Sequence, residues 1–97
     1  MDDICFVWDD NKAATNQRKH GVSFEEAKSA FADEYARLIT DPDHSMDEER
    51  FVLLGLSSEL RVLVVCHCYR QNDHEIRIIS ARKASRHEQK QYRELQK

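Results

Sequence analysis

The chain has 97 residues, of which 40% are hydrophobic and 34% are charged. This length supports one small domain, residues 1–97, with a single core. No apolar run approaches the roughly 18 residues that would span a bilayer, and the N-terminus lacks the basic segment of a secretory signal. We therefore expect a soluble protein that stays in the cytoplasm and does not bind membranes.

The net charge of −3 hides an asymmetry along the chain. Residues 1–48 contain 12 acidic and 5 basic side chains, whereas residues 49–97 contain 6 acidic and 10 basic ones. A basic half can meet an anionic partner such as a nucleic acid. The alternative is a solvated charged surface with no partner.

Three cysteines, Cys5, Cys66 and Cys68, make an odd number without paired spacing. They are interpreted as reduced core residues, because a thiol behaves as a small hydrophobe. A metal site built from Cys66, Cys68, His67 and His74 is the alternative, but Cys-x-Cys within a strand is not a usual zinc spacing. We therefore expect no metal and no cofactor.

The N-terminal third predicts one strand and two helices. Residues 5–8 form a short strand, and Asp9 or Asp10 caps a helix over residues 11–20 that ends at a left-handed Gly21. Ser23 to Glu26 is a capping box, in which the serine accepts from the Glu26 amide and Glu26 reaches back to the serine amide. The second helix begins at Phe24, and its apolar stripe comprises Phe24, Ala27, Ala30 and Phe31.

The rest of the chain predicts four strands and a last helix. The strands are residues 35–40, 50–56, 60–68 and 75–81, separated by a polar loop over residues 41–48, a three-residue turn over 57–59 and a second hairpin loop over 70–74. The last helix covers residues 83–95. The order β-α-α-β-β-β-β-α predicts an α+β domain with helices packed on one face of a twisted, mainly antiparallel sheet.

The central strands carry apolar side chains at both odd and even positions, so both faces of the sheet must be covered by other elements. Leu63 and Val65 point to one face, and Val62, Val64 and Cys66 point to the other. The two N-terminal helices can cover one face. The weakly apolar last helix, or a partner chain, must cover part of the second.

The run Arg77-Ile-Ile-Ser-Ala-Arg82 places two guanidinium groups on one predicted strand. Regular alternation sends Arg77 and Arg82 to opposite faces unless the strand ends before Arg82. Arg82 then lies at the junction with the last helix, free to swing over the face that carries Arg77.

Several motifs together resemble the BrnT family of toxins. They are Trp8-Asp9 with Lys12 and Asn16, the run from Lys19 to Ala27, Gly55, and the run from Arg77 to Arg82 with Glu88 and Tyr92. The resemblance implies a RelE-like ribonuclease fold, growth arrest through RNA cleavage, and neutralisation by a BrnA-type antitoxin that, together with the toxin, binds the operator DNA of their own operon. Family members usually carry glycine before the arginine that matches Arg61, whereas this chain has Leu60, which puts the hairpin geometry in doubt.

Metal-free RNA cleavage uses the substrate's own 2′-hydroxyl as nucleophile. The protein then supplies a base, an acid and cations for the phosphorane charge. Arg61, Arg77 and Arg82 are the candidate cations, since a guanidinium donates two hydrogen bonds to phosphate oxygens. Strand pairing predicts that Arg61 approaches Arg82 and that His67 approaches Arg77, so His67 is the candidate for proton transfer.

Two further residues are candidates for binding the RNA. Lys12 lies in the first helix turn, where a cation is poorly placed for the helix dipole, which favours phosphate contact as its role. Trp8 can stack a base or belong to the core. His20 is interpreted as a helix C-terminal residue that interacts with the dipole.

The alternative function is a noncatalytic nucleic-acid or protein-binding module that acts as an operon co-repressor. A DNA reader presents basic side chains on one exposed helix. In this chain Arg86, Lys90 and Arg93 lie at helical spacing on the last predicted helix.

Overall fold

The computed structural model describes residues 4–40, 50–70 and 74–94. Its elements, in chain order, are β1 (Cys5–Val7), α1 (Asp10–His20), α2 (Phe24–Ala30), β2 (Arg37–Thr40), β3 (Phe51–Leu56), β4 (Val62–Arg70), β5 (Glu75–Lys83) and α3 (Arg86–Glu94). The predicted loop over residues 41–48 and the end of the last helix at Leu95 lie outside the described residues. Within those ranges, no helix combines the length and hydropathy that crossing a membrane requires.

The strands form one five-stranded sheet in the order β1-β5-β4-β3-β2. β1 pairs parallel to β5, and the other three pairings are antiparallel. This confirms the α+β class and the mainly antiparallel sheet.

Helix α1 begins and ends as its sequence predicts. The Asn11 and Lys12 amides donate to the Asp9 carboxylate at 2.8 and 3.1 Å, which satisfies two amides that the helix leaves without partners. At the other end Gly21 has φ of 69°, the left-handed conformation that glycine adopts without strain, and its amide donates to Gln17.

Helix α2 forms only half of its predicted capping box. The Glu26 amide donates to Ser23 Oγ at 3.0 Å, as expected. The Glu26 carboxylate was expected to reach back to the Ser23 amide, but it accepts hydrogen bonds from Ser57 and Arg61. A tertiary arginine competes better for a carboxylate than a backbone amide does, because the pair carries opposite charges.

Helix α3 begins three residues later than predicted, because β5 continues to Lys83. Ser85 caps it with a complete capping box: the Glu88 amide donates to Ser85 Oγ at 3.2 Å, and the Ser85 amide donates to Glu88 Oε1 at 2.8 Å. Near the other end Tyr92 is 2% exposed and donates its hydroxyl proton to Asp33 Oδ2 at 2.5 Å. These contacts fix α3 against the sheet and the end of α2.

The helices lie on both faces of the sheet, so the expected one-sided arrangement is wrong for α3. On the face covered by α1 and α2 (the α1–α2 face), the buried cluster is Val22, Phe24, Ala27, Ala30, Leu53, Leu63, Val65, Ile78 and Ala81. On the face covered by α3 (the α3 face), a smaller cluster contains Val52, Leu54, Val64, Ala84 and Tyr92. The expectation that the last helix covers part of the second face is confirmed.

The turn between β3 and β4 keeps its hairpin geometry despite Leu60. The Ser57 amide donates to the Arg61 carbonyl at 2.8 Å, and the Leu60 amide donates to the Ser57 carbonyl at 2.9 Å. Leu60 has φ of 62°, a left-handed conformation that leucine rarely adopts. Consequently β4 begins at Val62 rather than at residue 60.

A buried asparagine from α1 serves as a partner for the edge of β5. Asn16 Nδ2 donates to the Ala81 carbonyl at 2.8 Å, and the Ala81 amide donates to Asn16 Oδ1 at 3.1 Å. The same nitrogen donates to the Val22 carbonyl at 2.9 Å. β1 pairs only with residues 75–77 of β5, so this amide occupies the place of a neighbouring strand farther along.

Candidate active site

A bulge in β5 decides which of its side chains share a face. Cys66 pairs with Ser80 and His67 pairs with Ile78, so Ile79 is an extra residue opposite the junction between the two β4 residues. An extra residue breaks the alternation of a strand, because the side chains beyond it point to the face opposite to the one expected.

The bulge brings Arg77 and Arg82 to the same face. Ile78 and Ala81 both lie in the core of the α1–α2 face although they are three residues apart. Arg77 pairs with Cys68 and Arg82 pairs with Val64, and these two β4 residues share the α3 face. The expectation that the strand ends before Arg82 is wrong, because β5 continues to Lys83. Regular alternation along that strand would place the two arginines on opposite faces, and the unpaired Ile79 is what brings them to the same one.

Arg82 forms a two-point ion pair with the capping glutamate of α3. Its Nη1 and Nη2 donate to Glu88 Oε1 and Oε2 at 2.8 and 2.9 Å. The hydrogen bonds from Arg82 lower the pKa of Glu88 to about 2 against the opposing effect of burial, and the Ser85 amide adds to the shift. Arg82 was expected to swing freely, but its guanidinium joins β5 to α3.

Arg61 is also engaged, on the α1–α2 side of the hairpin. Its Nε donates to Glu26 Oε2 at 2.9 Å, its Nη2 forms an ion pair with Glu26 Oε1, and the same Nη2 donates to the Gly21 carbonyl at 3.1 Å. Hydrogen bonding to Arg61 lowers the pKa of Glu26, whereas burial of the carboxyl opposes it. In this arrangement Arg61 ties the hairpin to the junction of α1 and α2, and the expected approach to Arg82 does not occur.

Arg77 differs from the other two arginines. Among the described residues it takes part in no ion pair or side-chain hydrogen bond. Its charge nevertheless acts on Asp9: hydrogen bonds from the Lys12 and Asn11 amides lower the pKa of that carboxyl, and the charges of Lys12 and Arg77 add to the effect. Lys12 and Arg77 thus both lie close to the N-terminus of α1.

His67 is far from the position expected of a proton-transfer group. It is 0% exposed and points to the α1–α2 face, where its ring packs edge-on to Phe31 at 4.8 Å. Burial lowers its pKa, against the effect of the Val65 carbonyl at 3.1 Å from Nδ1. Because Arg77 points to the α3 face, the expected strip of arginines with a histidine among them does not form.

Trp8 lies at the margin of the core. Its ring is half-buried and contacts Phe24 edge-on, with centroids 6.0 Å apart and an interplanar angle of 80°. This contact uses the ring for packing, and base stacking by Trp8 stays a prediction.

The cysteines and histidines of the alternative metal site do not converge. Cys66 and Cys68 lie half-buried on the α3 face, and His67 points to the opposite one. All three cysteines are reduced, but none is buried, and Cys5 is exposed, so their interpretation as core residues is wrong. In the part of the chain that the structure describes, no group of His, Cys, Asp or Glu has a metal-binding arrangement.

A basic groove lies between α1 and the bulge of β5, and we name it the α1–β5 groove. It encloses about 340 Å³ and is lined by Asn11, Lys12, Thr15, Asn16, Lys19, His20, Ile79 and Ser80. Lys12 and Lys19 are exposed, and His20 is half-exposed beside them. No carboxylate lies among these lining residues, so the groove is suited to an anion.

Lys19, His20 and Ser80 are the groove residues that sequence reasoning did not assign to a site. The signal available was helical spacing, since Lys12, Lys19 and His20 lie seven and eight residues apart on α1 and so share one face. Ser80 gave no such signal, because its position depends on the bulge.

The sequence profile of a family described as "Ribonuclease toxin, BrnT, of type II toxin-antitoxin system" matches residues 8–88. The chain belongs to the BrnT family. Its fold also matches the 1.1 Å crystal structure of the Brucella abortus ribonuclease toxin BrnT, with a TM-score of 0.66 and 22% identity over 86% of this chain and 99% of that one. A search of curated proteins found no match.

Membership of the BrnT family confirms the resemblance and establishes the chain as a ribonuclease toxin of a type II system, which implies an antitoxin partner. At 22% identity the Brucella structure supports the fold alone. The roles of individual residues therefore depend on the geometry described above.

Proposed function

We propose that this BrnT toxin is a metal-independent endoribonuclease that cleaves cytoplasmic RNA by attack of the 2′-hydroxyl. The observation that supports the proposal most is the α1–β5 groove, in which Lys12, Lys19 and His20 meet Ser80 without a carboxylate. A groove of this charge attracts the phosphate backbone of RNA. Cleavage of RNA in a cell arrests its growth, which fits a toxin.

In this proposal the cations stabilise the charge that develops on the phosphorane. Lys12 and Lys19 hold the phosphate in the α1–β5 groove, and Arg77 adds a positive charge near the N-terminus of α1. His20 replaces His67 as the proton-transfer group, because it lines the groove whereas His67 is buried. An imidazole can both accept and donate a proton.

Arg61 and Arg82, also predicted to be catalytic, could contribute to cleavage only if they leave their present ion pairs. Each would reach a phosphate only by exchanging its carboxylate partner, Glu26 or Glu88, for the substrate. Trp8 would stack a base only by leaving Phe24. We therefore place Arg77, Lys12 and His20 ahead of these three residues.

The test is incubation of purified toxin with RNA in the presence of EDTA. We expect cleavage to continue and to leave 2′,3′-cyclic phosphate ends, because the nucleophile belongs to the substrate. His20→Ala is expected to abolish it, with thermal stability as the control for folding. Intact RNA at micromolar toxin, or cleavage that needs Mg²⁺, would show that the mechanism is wrong.

The antitoxin partner is proposed to be of the BrnA type, and the complex of the two proteins is proposed to bind the operator DNA. The resemblance of the chain to the BrnT family supports this pairing. Acidic side chains of the antitoxin would face cations of the toxin.

The noncatalytic co-repressor is the second candidate. It is favoured by α3, on which Arg86, Lys90 and Arg93 are exposed. A helix with three exposed cations can contact DNA phosphates. The RNA assay separates the two functions, since a co-repressor without catalysis leaves RNA intact.

A further inference from the structure

The β3–β4 turn carries an apolar side chain that the turn itself does not require. Leu60 is 81% exposed, more than Ile4, Leu38 and Tyr35, the other exposed large hydrophobic residues among those described. Its φ of 62° suits glycine or asparagine better than leucine. A leucine here combines an unfavourable backbone conformation with apolar surface in water, so local geometry does not explain it.

Leu60 borders an open groove between the turn and α3, which we name the hairpin groove. The groove encloses about 400 Å³. Its apolar residues besides Leu60 are Leu56 and Val62, both half-buried, and Tyr92. The apolar side chains are therefore contiguous, unlike a single surface leucine.

Cations flank the apolar part of this groove. Arg61, Lys83 and Arg93 line it, and no carboxylate is among the described residues that do so. Arg61 is already satisfied by Glu26. Lys83 and Arg93 are exposed, so an occupant of the groove meets two positive charges beside apolar surface.

We propose that the hairpin groove docks an acidic, amphipathic segment of the antitoxin. An apolar side chain of that segment covers Leu60 and Leu56, and its carboxylates face Lys83 and Arg93. RNA fits this groove less well, because bases stack on aromatic rings and the exposed apolar side chain here is aliphatic. The proposal rests on the antitoxin that a type II toxin requires, and it does not depend on how RNA is cleaved.

The two grooves are separate, which makes the proposal testable. The hairpin groove and the α1–β5 groove share no lining residue. A change at Leu60 should therefore alter antitoxin binding and leave RNA cleavage by the isolated toxin as it was.

The first experiment measures the affinity of purified antitoxin for Leu60→Gly toxin. We expect binding to weaken about tenfold or more, with unchanged RNA cleavage and an equal or higher melting temperature, because glycine fits the turn. The matched control is Leu38→Thr, which removes a half-exposed leucine from the edge strand β2 and should bind normally. Equal loss in both variants, or no loss at Leu60, would overturn the proposal.

The charge component is tested with Lys83→Gln combined with Arg93→Gln. We expect weaker antitoxin binding and a smaller dependence on salt, since two attractive charges are removed. Arg37→Gln on β2 serves as the control and should keep the parent's salt dependence. If the double variant also keeps the parent's salt dependence, Lys83 and Arg93 do not contribute to antitoxin binding.

A direct readout places the photoreactive residue p-benzoylphenylalanine at position 60 in the purified toxin–antitoxin complex. Irradiation should join the toxin to a segment of the antitoxin that contains both acidic and apolar residues. Cross-linking to RNA, or within the toxin itself, would contradict the proposal. If the parent toxin cleaves no RNA but still cross-links to the antitoxin, the ribonuclease proposal fails and this one stands.

Discussion

The three candidate arginines are alike in sequence but differ in the partners that the fold gives them. Arg61 faces Glu26 and Arg82 faces Glu88, each through two nitrogens, whereas Arg77 has no ion-pair partner among the described residues. A guanidinium that is paired with a carboxylate must break that ion pair before it can bind phosphate, and breaking it costs free energy. Arg77 is therefore the arginine best placed to act on an anion directly.

Arg77→Ala is expected to lower RNA cleavage by about 100-fold, the usual effect of removing one group that stabilises the transition-state charge. The melting temperature should change by only a few degrees, because Arg77 supports no ion pair among the described residues. Cleavage of a defined RNA by each purified variant checks this. Arg37→Ala, which removes an exposed arginine from the opposite sheet edge, should retain the parent's activity.

Leu54→Ala supplies the opposite pattern in the same assays. Leu54 is 2% exposed, so its truncation should cost about 2–5 kcal/mol of unfolding free energy. Activity below the melting temperature should be affected less than by Arg77→Ala. If Arg77→Ala toxin is fully active, Arg77 does not belong to the active site.

At the scale of elements, α3 is attached to the sheet through a chain of polar contacts. Arg82 on β5 binds Glu88, and Glu88 caps the helix through the Ser85 amide. The folded-state pKa of Glu88 is about 2, below its ordinary value of 4.5. The pair therefore stabilises the folded chain above about pH 4.5, and this contribution is lost as the pH falls toward 2.

Glu88→Gln is expected to lower the melting temperature at neutral pH and to have a diminishing effect as the pH falls from 4.5 to 2. A double-mutant cycle with Arg82→Gln, followed by thermal unfolding at several pH values, measures the coupling directly. Glu88 is partly exposed, so the coupling should be moderate. A coupling that is constant over this pH range would mean that the ion pair does not hold α3.

The ends of elements were predictable where a local hydrogen bond decides them. Asp9, Gly21 and Ser23 act at the ends of α1 and α2 as their sequence positions predict. The same pattern of serine followed by glutamate three residues later occurs at Ser23 and at Ser85, but only the second forms both hydrogen bonds. At Ser23 the Glu26 carboxylate binds Arg61 instead. A rule based on neighbouring residues cannot predict a partner so distant in sequence.

At the scale of the whole molecule, one glycine sets the distance between two layers. A Cβ added to Gly55 would lie 2.9 Å from the Ala30 carbonyl oxygen and 3.1 Å from Ala36 Cβ. The first contact is with backbone, which cannot rotate away. Helix α2 thus lies directly on the backbone of β3, and the packing of the α1–α2 face depends on this approach.

Gly55→Ala is expected to destabilise the fold by about 1–3 kcal/mol, because α2 must move away from β3. Adding Ala36→Gly should not restore stability, since the contact with the Ala30 carbonyl remains. Chemical unfolding of both variants measures the effect. A Gly55→Ala protein as stable as the parent would mean that the layers adjust at no cost.

The candidate site was less predictable than the fold, because it depends on how distant elements meet. Lys12 was singled out by its unfavourable position at the start of α1, and it lines the α1–β5 groove. Strand alternation made His67 a candidate, but the structure buries it in the core of the α1–α2 face. Lys19 and His20 gain their significance only because they line one groove with Ser80, and no periodicity in the sequence encodes that arrangement.

The extra residue in β5 also has a consequence for how this chain tolerates mutation. Ile79 has no partner on β4, so its removal would make the strand regular and leave Arg77 and Arg82 on the same face, opposite the same β4 residues. The loss of a second residue from this part of β5 would instead turn the two arginines to opposite faces or shift the strand against β4. β5 therefore has one residue to spare, and a deletion scan should find a single deletion at the bulge much milder than a double one.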